Sequence, residues 1–164
     1  MALTPTGSWS AWRIWGDEVE ECVDAHTFSE ILDHVDLVLY DIKAVDEEKH
    51  ARLTGKSNRV IVKNLELAVA KGANVMVRIP VVPNVNVSRN EFSRFAELIA
   101  GLGIKEVELL PYHKLGIAKY RLLRRPYQLD AEPPTAEFLD DFKSVLSSRG
   151  ILVTVGGSPP SLKR

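Results

Sequence analysis

Three apolar runs end alike, and this constrains the chain more than any other feature of its sequence. In DLVLYDIK the stretch 37–42 shows no polar alternation until its end, so both of its faces must be covered, as in a strand of a parallel sheet. NVMVRIPVV and KEVELLPYH follow the same plan and run into prolines, Pro80 with Pro83 and then Pro111, where hydrogen bonding to neighbours is lost. Helical patterns with short connections fill the gaps between the runs. Such alternation predicts βαβ units and a parallel sheet.

The helix signals are local and specific. Asp24 caps a helix over about 25–34, with Thr27-x-x-Glu30 as an alternative capping box, and Asp46 caps EEKHARLT, which Gly55 ends. NRVIVKNLELAVAKG sets Val60, Ile61, Leu65, Ala68 and Val69 near one face, with Gly72 closing the helix. Ser88-x-x-Glu91 opens FSRFAELIAGLG as a capping box. After a short helical piece, KYRLLR, and the Pro-rich RPYQLDAEPP, a last helix spans about 136–149 and ILVTV reads as a fourth strand. Residues 1–22 form an atypical segment in which Trp9, Trp12 and Trp15, three apart, lie on one helix face or in a loop over a sheet edge. Residues 23–157 form the body, and 158–164 a disordered or extended tail.

Composition narrows the partners. With 21 Lys and Arg against 22 Asp and Glu in 164 residues, the chain lacks the basic excess that displaces counterions from nucleic acid or anionic membranes. Its one cysteine, Cys22, builds neither a disulfide framework nor a Cys-rich zinc site, and fits a cytoplasmic protein with an inert thiol. No run approaches a membrane span, and the first residues lack the pattern of a signal peptide. A closed (β/α)₈ barrel takes about 250 residues, so the strands here are too few for one.

Chemistry collects where the strands leave the sheet: Asp41 and Lys43, then Arg78 with Pro80, then Leu110, Pro111 and His113. In α/β sheets and barrels ligands sit beyond the carboxyl ends of the strands. The two-residue period puts Leu37, Leu39, Asp41 and Lys43 on one face, and Met76 with Arg78 on one face of the next strand. One carboxylate, two cations and an imidazole suit a zwitterionic small molecule. Plainer readings stand beside this one: an Asp41–Lys43 ion pair closing a loop, an Arg78–Glu108 salt bridge, and a His113 that bonds backbone. Lys43 as a Schiff-base nucleophile is a further alternative, which the neighbouring Asp41 disfavours. His26, His34 and His50 read as surface residues without metal-ligand spacing. Lys114, Lys119, Arg121, Arg124 and Arg125, interleaved with Tyr112, Tyr120 and Tyr127, form either a solvated face or a non-catalytic surface that docks a protein partner.

DLVLYDIKAVDEEKHARLTGKSNRVIVKNL, ANVMVRIPVVPNVN and VELLPYHKLGIAKYRLL resemble, in this order, the pyruvate formate-lyase activating enzyme and related glycyl-radical enzyme activating proteins of the radical S-adenosylmethionine (SAM) superfamily. The resemblance covers roughly residues 23–157. It implies an α/β fold, a partial barrel of about three to four parallel strands with covering helices, as a fragment of a (β/α)₆ barrel. In the family, SAM and a [4Fe–4S] cluster held by CxxxCxxC generate a 5′-deoxyadenosyl radical, which takes hydrogen from a glycine of the partner glycyl-radical enzyme. By resemblance Asp41, Ile42 and Lys43 contact SAM, Arg78 lies near it, and Leu110 and His113 lie near its adenosine. CxxxCxxC and the glycine-rich GGE segment are absent, so the resemblance implies a C-terminal half, truncated or split, that is inactive alone as an oxidoreductase. A companion chain would supply the cysteines, and open strand edges would favour self-association. PNVNV stands where the family reads Pro-Gly-x-Asn-Asp, with Asn84 for the glycine and Val87 for the aspartate; asparagine tolerates the positive φ such a turn needs.

Overall fold

The computed structural model describes residues 13–15, 24–116, 120, 122–124, 127, 129 and 131–156. Trp9, Trp12, Cys22, Lys119, Arg121, Arg125 and the tail 158–164 lie outside them.

Five parallel strands form one open sheet in sequence order: β1 (Arg13–Trp15), β2 (Leu37–Asp41), β3 (Val75–Val81), β4 (Glu106–Pro111) and β5 (Leu152–Val155). β1 is one strand more than the sequence supports. It pairs with the start of β2, Arg13 opposite Leu37 and Trp15 opposite Leu39, so Trp15 lies on a strand rather than on a helix or in a loop. Three residues of strand carry too little alternation to be read from sequence.

The helices are α1 (Ala25–Leu32), α2 (Glu47–Thr54), α3 (Arg59–Ala70), α4 (Phe92–Gly101) and α5 (Ala136–Ser147). Their caps are those the sequence signals. Asp24 accepts from the backbone of His26 and Thr27, and Asp46 from Lys49, while Gly55 closes α2 at φ 81°. The Ser88–Glu91 box is formed on the short 3₁₀ turn Arg89–Glu91 that leads into α4.

All these helices except α2 contribute to a single core against one face of the sheet, as right-handed crossovers require. That face carries Val38 and Tyr40 of β2, Val77 and Ile79 of β3, and Val107 and Leu109 of β4. Phe142 of α5 stacks on Phe92 with centroids 4.3 Å apart and meets Phe95 edge-on at 5.6 Å, which locks α4 to α5. Tyr40 is fully buried, and its hydroxyl donates to the Ile61 carbonyl at 2.6 Å. Tyr40→Phe should therefore cost about 1 kcal/mol, read as a lower denaturation midpoint with unchanged m-value.

Two expectations fail. Val60 is half exposed, whereas Leu65 and Ala68 of the same expected face turn inward together with Asn64. His50 is buried, not on the surface: its Nδ1 lies 2.8 Å from the Lys56 carbonyl, which Gly55 brings back beneath the ring, while Nε2 has no partner among the described residues.

Lys49 Nζ meets Glu91 Oε2 at 2.5 Å in a largely buried pair that ties α2 to the start of α4. Burial by itself would raise the Glu91 carboxyl, but hydrogen bonds from Lys49 and Ser88 outweigh it and hold the group below its ordinary value. The pair thus adds stability above the ordinary glutamate range, near pH 4.3, and this contribution is lost as pH falls through the lower folded value. Glu91→Gln should show a shallower acid limb than the parent chain when unfolding is followed from pH 6 downward, with the difference confined to the region below about pH 4.3.

Candidate functional site

The opposite face of the sheet is chemically different. Near the start of β2 it is apolar, where Leu37, Leu39 and Met76 form a small buried cluster of their own. One step further a register row crosses four strands: Asp41 lies opposite Arg78, Arg78 opposite Glu108, and Glu108 opposite Thr154. Parallel partners share a face, so these side chains project together from the sheet.

Asp41 and Arg78 are in contact. Arg78 Nε reaches Asp41 Oδ1 at 2.6 Å and Nη2 reaches the same oxygen at 2.5 Å, with both residues buried. The sequence offered Lys43 for Asp41 and Glu108 for Arg78 as the plainer ion-pair partners; the structure joins Asp41 to Arg78 across adjacent strands. Glu108 is equally buried, and its Oε1 has no hydrogen-bond partner among the described residues.

The end of β2 explains how Pro80 can lie inside β3. Arg78 O accepts the Ile42 amide at 2.9 Å, so two residues on the backbone of Pro80 faces the same side, where β2 has already ended. No ladder partner is lost there, and the strand continues to Val81 with Pro80 opposite Leu110. Asn86 fills the gap. Its buried Nδ2 donates to Lys43 O at 2.9 Å and to Pro80 O at 2.5 Å, and its Oδ1 accepts from Val82 N at 2.8 Å. The turn that delivers Asn86 has Asn84 at φ 60°, so asparagine does adopt the glycine-like conformation expected of it.

The other residues singled out by sequence fall around this edge in different ways. Ile42 is buried in the helix-side core, with its amide committed to Arg78, so only its backbone borders the row. Lys43 is half-buried just past β2, Leu110 is half-buried opposite Pro80, and His113 is exposed beyond β4. The parallel arrangement brings all of these to one end of the sheet, where Arg78 bonds the Asp41 carboxylate through its side chain and the Ile42 amide through its carbonyl.

The basic stretch after β4 is partly engaged. Lys114 pairs with Glu132 at 2.5 Å. Tyr112 and Tyr127 share a hydroxyl hydrogen bond of 2.7 Å, which together with burial pushes the Tyr127 hydroxyl above its ordinary value, and Tyr120 packs edge-on against the Tyr127 ring. Leu115, Leu122 and Leu123 are largely exposed.

Comparison with known proteins shows the family. No family model matches the chain. It is 38% identical over 125 residues to the trans-4-hydroxy-L-proline dehydratase activating enzyme of Clostridioides difficile, covering 74% of this chain and 41% of that one. It is also 38% identical over 112 residues to the pyruvate formate-lyase-activating enzyme of Staphylococcus epidermidis, covering 67% and 45%. The chain belongs to the glycyl-radical enzyme activating proteins. It spans about two fifths to one half of the length of these relatives. Among solved structures, a domain of the pyruvate-formate lyase-activating enzyme from Bacteroides vulgatus superposes with a TM-score of 0.72 at 20% identity, over 91% of this chain and all of that one. A radical SAM methyltransferase from Sphaerobacter thermophilus gives 0.60 at 19% identity, over 80% of this chain and 37% of that one. These likenesses show the same open α/β sheet.

The two cofactors of radical SAM enzymes fare differently against the residues present. A four-iron cluster needs several thiolates, and the sequence has one cysteine; among the described residues no group of three or more His, Cys, Asp or Glu is arranged for a metal. For SAM, by contrast, the strand ends carry both signs of charge, Asp41 and Glu108 with Arg78 and Lys43, which a zwitterionic ligand requires. Among the described residues no helix is long and apolar enough to cross a membrane.

Proposed function

We propose that the chain is the SAM-facing, C-terminal half of a glycyl-radical enzyme activating enzyme, which holds part of the SAM pocket and does not perform the radical step by itself. The observation that carries this reading is the buried Asp41–Arg78 pair, flanked in register by Glu108, on the sheet face away from the helices. Arg78 and Lys43 offer cations to the methionine carboxylate, Asp41 fixes the guanidinium, and Leu110 with His113 border the adenosine. When bound, SAM supplies the sulfonium whose cleavage drives the family's chemistry. This chain's own part is to bind and orient it.

The partner is a glycyl-radical enzyme. A companion chain carrying CxxxCxxC would bring the cluster, and the open edges at β1 and β5 give a second chain strands to pair with. Calorimetric titration with SAM should show binding by the isolated chain, whereas anaerobic reconstitution with iron and sulfide should leave no stoichiometric [4Fe–4S] absorbance. A brown species with four irons per chain would overturn the division of labour, and absence of SAM binding would overturn the pocket.

A second reading, a docking module for the partner enzyme, is favoured by the exposed Leu115, Leu122 and Leu123 beside Arg124. It predicts salt-sensitive capture of a glycyl-radical enzyme. Capture that survives charge reversal at Arg124 and Arg125 would end it.

A further inference from the structure

Glu108 is the one carboxylate of the inner row without an ion pair. The row of Asp41, Arg78 and Glu108 contains two carboxylates and one guanidinium, and the guanidinium is bound to Asp41. One carboxylate is therefore left over, on a residue only 5% exposed whose Oε1 has no hydrogen-bond partner among the described residues. An unpartnered carboxylate is costly to bury, and native structures keep such groups where a partner arrives from elsewhere. The other neighbour in register, Thr154, does not satisfy it: its hydroxyl donates to Val107 O at 3.5 Å.

We infer that Glu108 is the counter-charge for a cationic centre of the bound ligand and that this centre is the sulfonium of SAM. The inference rests on the SAM-pocket reading and deepens it by assigning a residue to the charge that distinguishes SAM from its demethylated product. Arg78, held by Asp41, faces the ligand's carboxylate, which leaves Glu108 to face its cationic centre. A sulfonium has no N–H or O–H to donate and is recognised by opposed charge alone. A buried carboxylate whose oxygen is not tied down by a donor meets this requirement.

S-Adenosylhomocysteine shares the ammonium, carboxylate and adenosine of SAM but lacks the sulfonium charge, so it separates the possibilities. The parent chain should bind SAM roughly tenfold or more tightly than S-adenosylhomocysteine in calorimetric titrations, the scale expected for one close charge pair. Glu108→Gln, which preserves shape and removes charge, should abolish that preference by weakening SAM alone. Glu108→Asp should retain part of it. Equal loss of both ligands in Glu108→Gln would assign Glu108 to the ammonium, the adenosine or the fold, and would overturn the inference. So would a preference that persists in the variant. Should Glu108→Gln fail to give the parent circular-dichroism spectrum, the parent chain decides: equal affinities for the two ligands refute the counter-charge. If the parent binds neither ligand, the pocket reading itself is wrong and the inference falls with it.

Discussion

Asp41→Ala is expected to lower stability by about 3–5 kcal/mol and to abolish SAM binding, because it breaks a buried ion pair by removing one partner. Arg78 directs both Nε and Nη2 to a single carboxylate oxygen in a region from which water is largely excluded. Removing the carboxylate takes away the acceptor that both guanidinium nitrogens share and weakens the compensation for desolvating the cation. For a chain of this size the loss corresponds to a fall of roughly 6–20 °C in melting temperature. The double variant Asp41→Leu/Arg78→Met separates fold from function. Replacing both members of a buried ion pair with apolar side chains of similar bulk is often neutral or stabilising, so the double variant should regain most of the lost stability. It should not regain SAM binding, since neither charge remains. A double variant as unstable as Asp41→Ala would mean that the pair is needed for packing of the inner face; one that binds SAM normally would remove both residues from the pocket.

Much of this fold was legible because its signals are local. Asp24, Asp46 and Ser88 with Glu91 each cap a helix through atoms within three residues in sequence, and the apolar runs of β2, β3 and β4 need only be covered on both faces to read as strands. The strand-end rule also singled out the end of the sheet where Asp41, Lys43, Arg78, Leu110 and His113 gather, since it follows from parallel topology alone. What sequence could not supply was pairing at long range. The sequence pattern pointed Arg78 to Glu108, and register sets Arg78 opposite both Glu108 and Asp41; side-chain geometry gives the pair to Asp41. His50 lies in the polar string EEKHARLT, yet the left-handed residue Gly55 folds Lys56 back over it and buries the ring. β1 escaped notice because a three-residue edge strand is specified by the partner it meets rather than by its own alternation.

Asn86 belongs with the unforeseen residues, although it matches the asparagine of the family's Pro-Gly-x-Asn-Asp turn, and it carries the second large effect. Its amide nitrogen bonds two carbonyls that have no other strand to meet, Lys43 O where β2 has ended and Pro80 O where β3 runs on alone, while its oxygen receives the Val82 amide. Asn86→Ala removes these three hydrogen bonds around one buried side chain and should cost about 2–4 kcal/mol. Asn86→Asp should be worse despite its nearly identical shape. It preserves the acceptor for Val82 but puts a carboxylate oxygen where the donor stood, facing two carbonyl oxygens at 2.5 and 2.9 Å, so that attraction becomes repulsion in a buried setting. The expected order of melting temperature is parent, Asn86→Ala, then Asn86→Asp, and the Asn86→Asp deficit should shrink as pH falls through the carboxylate range, because a protonated carboxyl can again donate. SAM affinity should fall in both variants by more than stability explains, since Lys43 reaches the strand-end edge from the very backbone that Asn86 anchors. A melting order with Asn86→Asp above Asn86→Ala would show that the donor to Lys43 and Pro80 matters less than the acceptor for Val82, and that the turn, rather than the strand ends, is what Asn86 holds.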